Sequence, residues 1–260
     1  KNNIFVKNQK NKKIKNSVKQ QTMGEETVLM LIQSMNIMNY LIMGLLLLGT
    51  LLLWRYNTKS NDPIYQTLFY YFLFNVFFKL ISKLYFYFQA DEGITNFPYF
   101  SLLNNIVHYC FFYYFICYKL KIKTKAITYF QLLSLPILIL FTYEMYESSF
   151  TNIYTQVSYT PVVVSVTICA MLLVYLFEMM IDRLNRENPF FLLVLIFLSF
   201  FSIEIIYLVS ENYMVNHILQ NNDVFLFLFS KIFFEVAFSA FLTIFVIKET
   251  LGFSRKTETV

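Results

Sequence analysis

The chain is short of the residues that break or bend a backbone, with only five glycines and five prolines in 260 residues. A turn-rich β-barrel needs more of both, and the apolar runs here lack the period-two alternation of barrel strands. Charge is scarce too, at 14% of residues, against about 25% in an ordinary soluble domain. There are one Trp, two His and three Cys. Cys110, Cys117 and Cys169 all fall inside apolar runs, so they read as small buried hydrophobes and not as a disulfide framework or metal site. No His-Glu-x-x-His, Gly-x-Ser-x-Gly or P-loop pattern occurs, and no Asp sits in the middle of an apolar run. Those gaps argue against a zinc protease, an α/β-hydrolase, a P-loop nucleotidase and an aspartyl intramembrane protease. The expectation is no enzyme, no cofactor and no metal.

What is present in excess is apolar surface, 57% of residues. A soluble fold of this length could not bury so much. In lipid every backbone N–H and C=O must be satisfied within its own segment, which leaves helices. Crossing the hydrocarbon takes about 20 apolar residues. Seven stretches qualify, at about 37–54, 64–88, 98–118, 126–146, 160–181, 189–209 and 223–247. The expected fold class is therefore all-α, a polytopic transmembrane bundle of about seven spans. Helix punctuation agrees. Pro63, Pro98, Pro161 and Pro189 open spans, where a missing N–H costs nothing. Asp62, Thr160, Asn188, Asn222 and Asp223 stand where N-caps belong. Pro136 alone lies mid-span and predicts a kink.

Lysine and arginine distribute unevenly among the connections. Arg55, Lys59, Lys119, Lys121, Lys123, Lys125, Arg183, Arg186, Lys248, Arg255 and Lys256 fall in alternate loops and the tail. The intervening segments, about 89–97, 147–159 and 210–222, hold Asp91, Glu92, Glu147 and Glu211 but no Lys or Arg. The positive-inside rule then predicts an N-out, C-in bundle. Residues 1–22 disagree, since their seven lysines would lie outside. They contain no signal-peptide core and end just before Met23, so they read as a basic, disordered or non-native leader. The organisation expected is leader 1–22, a short external segment 23–36, the bundle 37–247 and a cytoplasmic tail 248–260. The lysine-rich 119–125 loop predicts attraction to anionic lipid or docking of a cytoplasmic protein partner.

Polar groups inside the spans are the candidates for function. An ionised side chain at bilayer depth costs about 2.5–3.5 kcal/mol on insertion scales and normally faces the bundle interior or water. At 1.5 Å per residue, Lys79, Glu204, Lys231 and Glu235 all fall in the outer half. On the third span, Asn104, Asn105 and His108 follow Ser101 at helical spacing in the same layer. Lys79, Asn104, Asn105, His108, Glu204, Lys231 and Glu235 thus form a candidate polar pocket opening outward. The competing reading is structural glue, with Lys231 paired to Glu235 four residues on or to Glu204 across helices, and Lys83 snorkelling to the headgroups. Glu144 and Glu178 read as solvated helix ends. The 31 Phe and 20 Tyr read as lipid-facing bulk from an AT-rich genome, or as cavity walls.

Two stretches carry a resemblance. Asn152-x-Tyr154 precedes a long apolar helix and then Asn188-Pro189-Phe190-Phe191; Tyr99 to Tyr118 contains Asn104 and Asn105 followed by aromatics and a lysine-rich loop. Over roughly 60–250 this resembles a family of small uncharacterised polytopic inner-membrane proteins common in Bacteroidetes, although Phe191 stands where that family usually has Trp. The resemblance implies topology and a bacterial inner membrane, and no activity. A mitochondrial inner membrane of an AT-rich organelle is the alternative. Three roles fit the residues: a receptor-like sensory module, a structural or accessory subunit of a membrane complex, and a small proton- or solute-coupled transporter. The missing internal repeat and continuous helices weigh against the last. Nothing in the chain suggests nucleic acid, and the ligand is unspecified.

Overall fold

The computed structural model describes residues 2–58, 62–89, 98–120, 124–148, 159–181, 189–217 and 221–258, with backbone only for 2–28, 85–89, 98–101, 124–125, 147–148, 181, 189, 212–217, 221–225 and 251–258. Seven helices follow one another: α1 Asn2–Asn57, α2 Pro63–Gln89, α3 Pro98–Tyr114, α4 Thr124–Ser148, α5 Thr160–Ile181, α6 Pro189–His217 and α7 Asn221–Glu258. Among the described residues there is no strand. The all-α helical bundle read from the apolar runs is the fold.

Among the described residues, six stretches are long and apolar enough to cross a bilayer, namely Leu29–Asn57, Pro63–Leu84, Ala126–Tyr146, Thr160–Met180, Phe190–Glu211 and Leu226–Thr250. The third expected span, 98–118, differs. Its α-helical part, α3, has 17 residues, about 26 Å at 1.5 Å per residue, and a five-residue π-helix, Phe115–Lys119, continues it. There Leu120 N–H donates to Phe115 O at 2.9 Å, five positions back along the chain. Phe115, Ile116 and Cys117 are buried in succession within this wider turn.

Helix ends show which punctuation was read correctly. Asp62 Oδ1 accepts the Ile64 N–H at 2.9 Å, a standard N-cap for α2. Thr160 does not cap α5. Glu144, near the end of α4, reaches across and accepts the N–H groups of Tyr159 and Thr160 at 2.5 and 3.0 Å. Glu144 is accordingly 2% exposed, not a solvated helix end. A carboxylate suits that place, because an α-helix N-terminus carries unsatisfied N–H groups and partial positive charge. Asn188 lies outside the described residues. α4 runs as one helix through Pro136.

Consecutive helices alternate in direction. α5 is the most enclosed, with 56% of its apolar window buried, and α4 the least, with 11%. Val164, Ser165, Thr167 and Ile168 are buried on α5, and such small or branched residues let helices approach closely. α1 packs along α7, its most extensive neighbour, and along α2. At Gly49 the ring of Phe72 occupies the space a Cβ would need, so glycine here is a packing requirement. Thr243 Oγ1–H is shared between the Ser239 and Leu45 carbonyls at 2.8 and 3.1 Å, the second on α1. Tyr65, at the start of α2, donates to Glu249 of α7 at 3.2 Å.

Much of the aromatic excess is core. Phe72, Phe112, Phe115 and Phe197 are fully buried and Phe201 is 1% exposed. Phe112 meets Phe197 and Phe201 edge-on at 4.8 and 4.9 Å, an arrangement worth about 0.5–1.5 kcal/mol per pair beyond burial. Tyr70, Tyr129, Tyr143 and Phe177 face outward and carry the lipid-facing share. Cys117 and Cys169 are buried as expected, but Cys110 is exposed, and all three are free thiols. Trp54 is exposed near the end of α1, a position suited to a membrane interface.

Candidate functional site

A cleft of about 190 Å³ opens among α1, α2, α3, α6 and α7. Its polar lining comprises Asn75, Lys79 and Ser82 of α2, Asn104 and His108 of α3, Glu204 of α6, and Glu235 and Ser239 of α7. The structure therefore brings together five of the seven residues singled out from sequence: Lys79, Asn104, His108, Glu204 and Glu235. Asn105 and Lys231 stay outside the lining. Asn105 is rotated by about 100° from Asn104 on a 3.6-residue helix, whereas His108 lies one turn from Asn104 on the same face. The side chain of Ser101 is outside the described residues.

Lys79 Nζ and Glu235 Oε2 form an ion pair at 3.1 Å, with side chains 27% and 32% exposed. Lys231 pairs not with Glu235 or Glu204 but with Glu211 near the end of α6, at 2.6 Å. The reason is the tilt of helical side chains. Each Cα–Cβ bond leans toward its own helix N-terminus. α7 runs opposite to α2 and α6, so Lys231 leans toward Glu211 while Glu211 leans back toward it. Lys79 and Glu235 converge in the same way. Depths counted along Cα positions miss this by about a turn. Lys83, one turn beyond Lys79, does not extend freely: its Nζ sits 3.1 Å from the centroid of the Tyr40 ring on α1.

Glu204 is the acidic residue of the lining without a lysine in contact among the described residues. Its Oε2 accepts a hydrogen bond from Ser165 Oγ of α5 at 3.3 Å. Asn75 Nδ2 donates to the Tyr71 carbonyl at 2.8 Å, which turns its Oδ1 toward His108, whose Nε2–H donates to it at 3.3 Å. The imidazole is held between Tyr71 and Phe74, with centroids at 5.7 and 6.3 Å. Asn104 Oδ1 is buried with no hydrogen-bond donor among the described residues. A buried acceptor left this way costs about 1–3 kcal/mol and marks a position where a donor is wanted.

Tyr71, Phe78, Phe200 and Phe238 supply aromatic walls, and Ile42 and Leu46 of α1 close one side. Phe200 and Phe238 stack at 3.8 Å. Phe238 also meets the buried ring of Phe197 at 6.0 Å, and Phe197 meets Phe112 at 4.8 Å. The contribution of α1 and the roles of Ser82 and Ser239 were not legible beforehand, because isolated serines and leucines in apolar runs carry no signal. Among the described residues no group of three or more His, Cys, Asp or Glu is gathered closely enough to hold a metal ion.

A second, larger groove of about 460 Å³ runs between α6 and α7 and is lined by apolar residues such as Leu192, Ile196, Phe234 and Phe241, with Lys248 at one end. It has none of the polar convergence of the first. Comparison with protein-family models, with curated proteins and with solved structures returned no match.

Proposed function

We propose that this integral membrane protein is a receptor-like sensory module in which the polar cleft takes up a small ligand. The observation that carries the reading is the convergence of Lys79, Asn104, His108, Glu204 and Glu235, from four helices, on one cleft in an otherwise apolar bundle. Polar groups at such depth are expensive unless they face one another, water or a ligand. Structural pairing accounts for Lys79 with Glu235, but it leaves Glu204 with a single hydroxyl donor and buried Asn104 Oδ1 with none among the described residues. The orientation proposed is N-out and C-in, by the basic connections, with the cleft opening to the exterior of a bacterial inner membrane. The resemblance to the Bacteroidetes inner-membrane family supports that placement. The basic connections would then face a cytoplasmic partner or anionic lipid.

Accessibility of the cleft to water is the test. In a background carrying Cys110→Ala, Cys117→Ala and Cys169→Ala, single Ser82→Cys and Asn104→Cys variants are expected to react with an impermeant methanethiosulfonate reagent added outside. Ser165→Cys, buried and outside the lining, is expected to stay unreacted. Protection of all three positions would leave the polar residues as glue between helices and end the proposal.

A further inference from the structure

We infer that the cleft is built for a small organic monocation, an ammonium of roughly ten heavy atoms or fewer; this rests on the binding role proposed above. The argument begins with charge. Lys79 and Glu235 neutralise each other at 3.1 Å, and Lys231 and Glu211 do so outside the lining at 2.6 Å. Lys83 faces the ring of Tyr40. Glu204 remains, held by a single hydroxyl donor from Ser165, so the lining holds one carboxyl group more than lysines among the described residues.

Hydrogen-bonding capacity points the same way. Asn104 Oδ1 is an acceptor without a donor, and a carboxylate offers about four lone-pair sites, of which Ser165 fills one. Three donors of the lining are engaged: Asn75 Nδ2 on a carbonyl, His108 Nε2–H on Asn75, and Ser82 Oγ–H on the Lys79 carbonyl at 3.2 Å. A guest is needed that donates and is positive. The walls suit the rest of it, because Phe78, Phe200 and Phe238 present aromatic surface that attracts cations through the ring quadrupole and accepts alkyl groups. An anion would meet Glu204 and find Lys79 already taken. The volume, about 190 Å³, is below the roughly 300–1,000 Å³ of sites for drug-sized ligands, which limits the guest to a small amine.

The full chain in lipid nanodiscs, titrated calorimetrically at neutral pH, decides the matter. n-Butylammonium and 2-phenylethylammonium are expected to bind; n-butanol, butyrate and the zwitterion γ-aminobutyrate are expected to bind at least tenfold more weakly. Glu204→Gln and Asn104→Leu, each kept only if its melting curve without probe matches the parent, are expected to weaken n-butylammonium at least tenfold. Equal binding of butyrate, butanol or the zwitterion, or unchanged affinity in both variants, overturns the cation class. Absence of binding by both ammonium probes overturns it too. If Ser82→Cys still reacts from outside in that case, the cleft survives as a site for another chemistry; if it is protected as well, both readings fall.

Discussion

Lys79 and Glu235 stand 156 positions apart in the chain and 3.1 Å apart in space, and at this scale their pairing can be tested alone. Removing one partner of a poorly solvated pair strands the other, at about 3–5 kcal/mol when burial is complete. Both side chains here are about a third exposed at most, so about 1–3 kcal/mol is the reasonable scale after screening. Lys79→Met and Glu235→Met are each expected to lower the melting temperature in detergent, and the double variant to recover most of that loss. Additive losses would show that the contact contributes little. Which apolar helices carry the charged groups was legible from sequence, because hydropathy is a local property. Partner choice was not. It depends on side-chain tilt in antiparallel neighbours, which sent Lys231 to Glu211, and on long-range reach, which sent Glu144 to the start of α5.

At the scale of the helix, glycine scarcity becomes informative. Two of the three glycines of α1 have opposite surroundings: nothing lies within 4 Å of a Cβ placed at Gly44, whereas at Gly49 the ring of Phe72 occupies that space. Gly49→Ala is expected to destabilise by about 1–3 kcal/mol through overpacking, with partial rescue by Phe72→Leu. Gly44→Ala is expected to be neutral or slightly stabilising, since Ala is the better helix former by about 1 kcal/mol. Thermal unfolding of the four variants checks both statements, and equal effects at the two glycines would refute the packing account. The helices themselves were legible from apolar run length and from prolines at their starts, as Pro63, Pro98 and Pro189 illustrate. The π-turn at Phe115–Lys119 was not, because a single widened turn leaves no mark on the pattern of apolar residues.

For the whole molecule, topology is the decisive property. With the native cysteines removed, Gly93→Cys is expected to be labelled by an impermeant maleimide on intact cells, and Lys121→Cys only after permeabilisation. The reverse pattern would place the cleft on the other side of the membrane and end the proposal of an externally open site. The cleft was legible as a depth band of polar residues on α2, α3, α6 and α7. Its enclosure was not, since Ile42 and Leu46 of α1 look like any other apolar residues until the first helix is seen packed beside the last. That closure of the ring by α7 has a consequence for biogenesis. Lys79 enters the bilayer early in synthesis, but the carboxylate that neutralises it is translated 156 residues later. Until then the nascent chain holds an orphan ammonium that lipid does not tolerate. The ion pair is therefore absent from any chain that stops before Glu235.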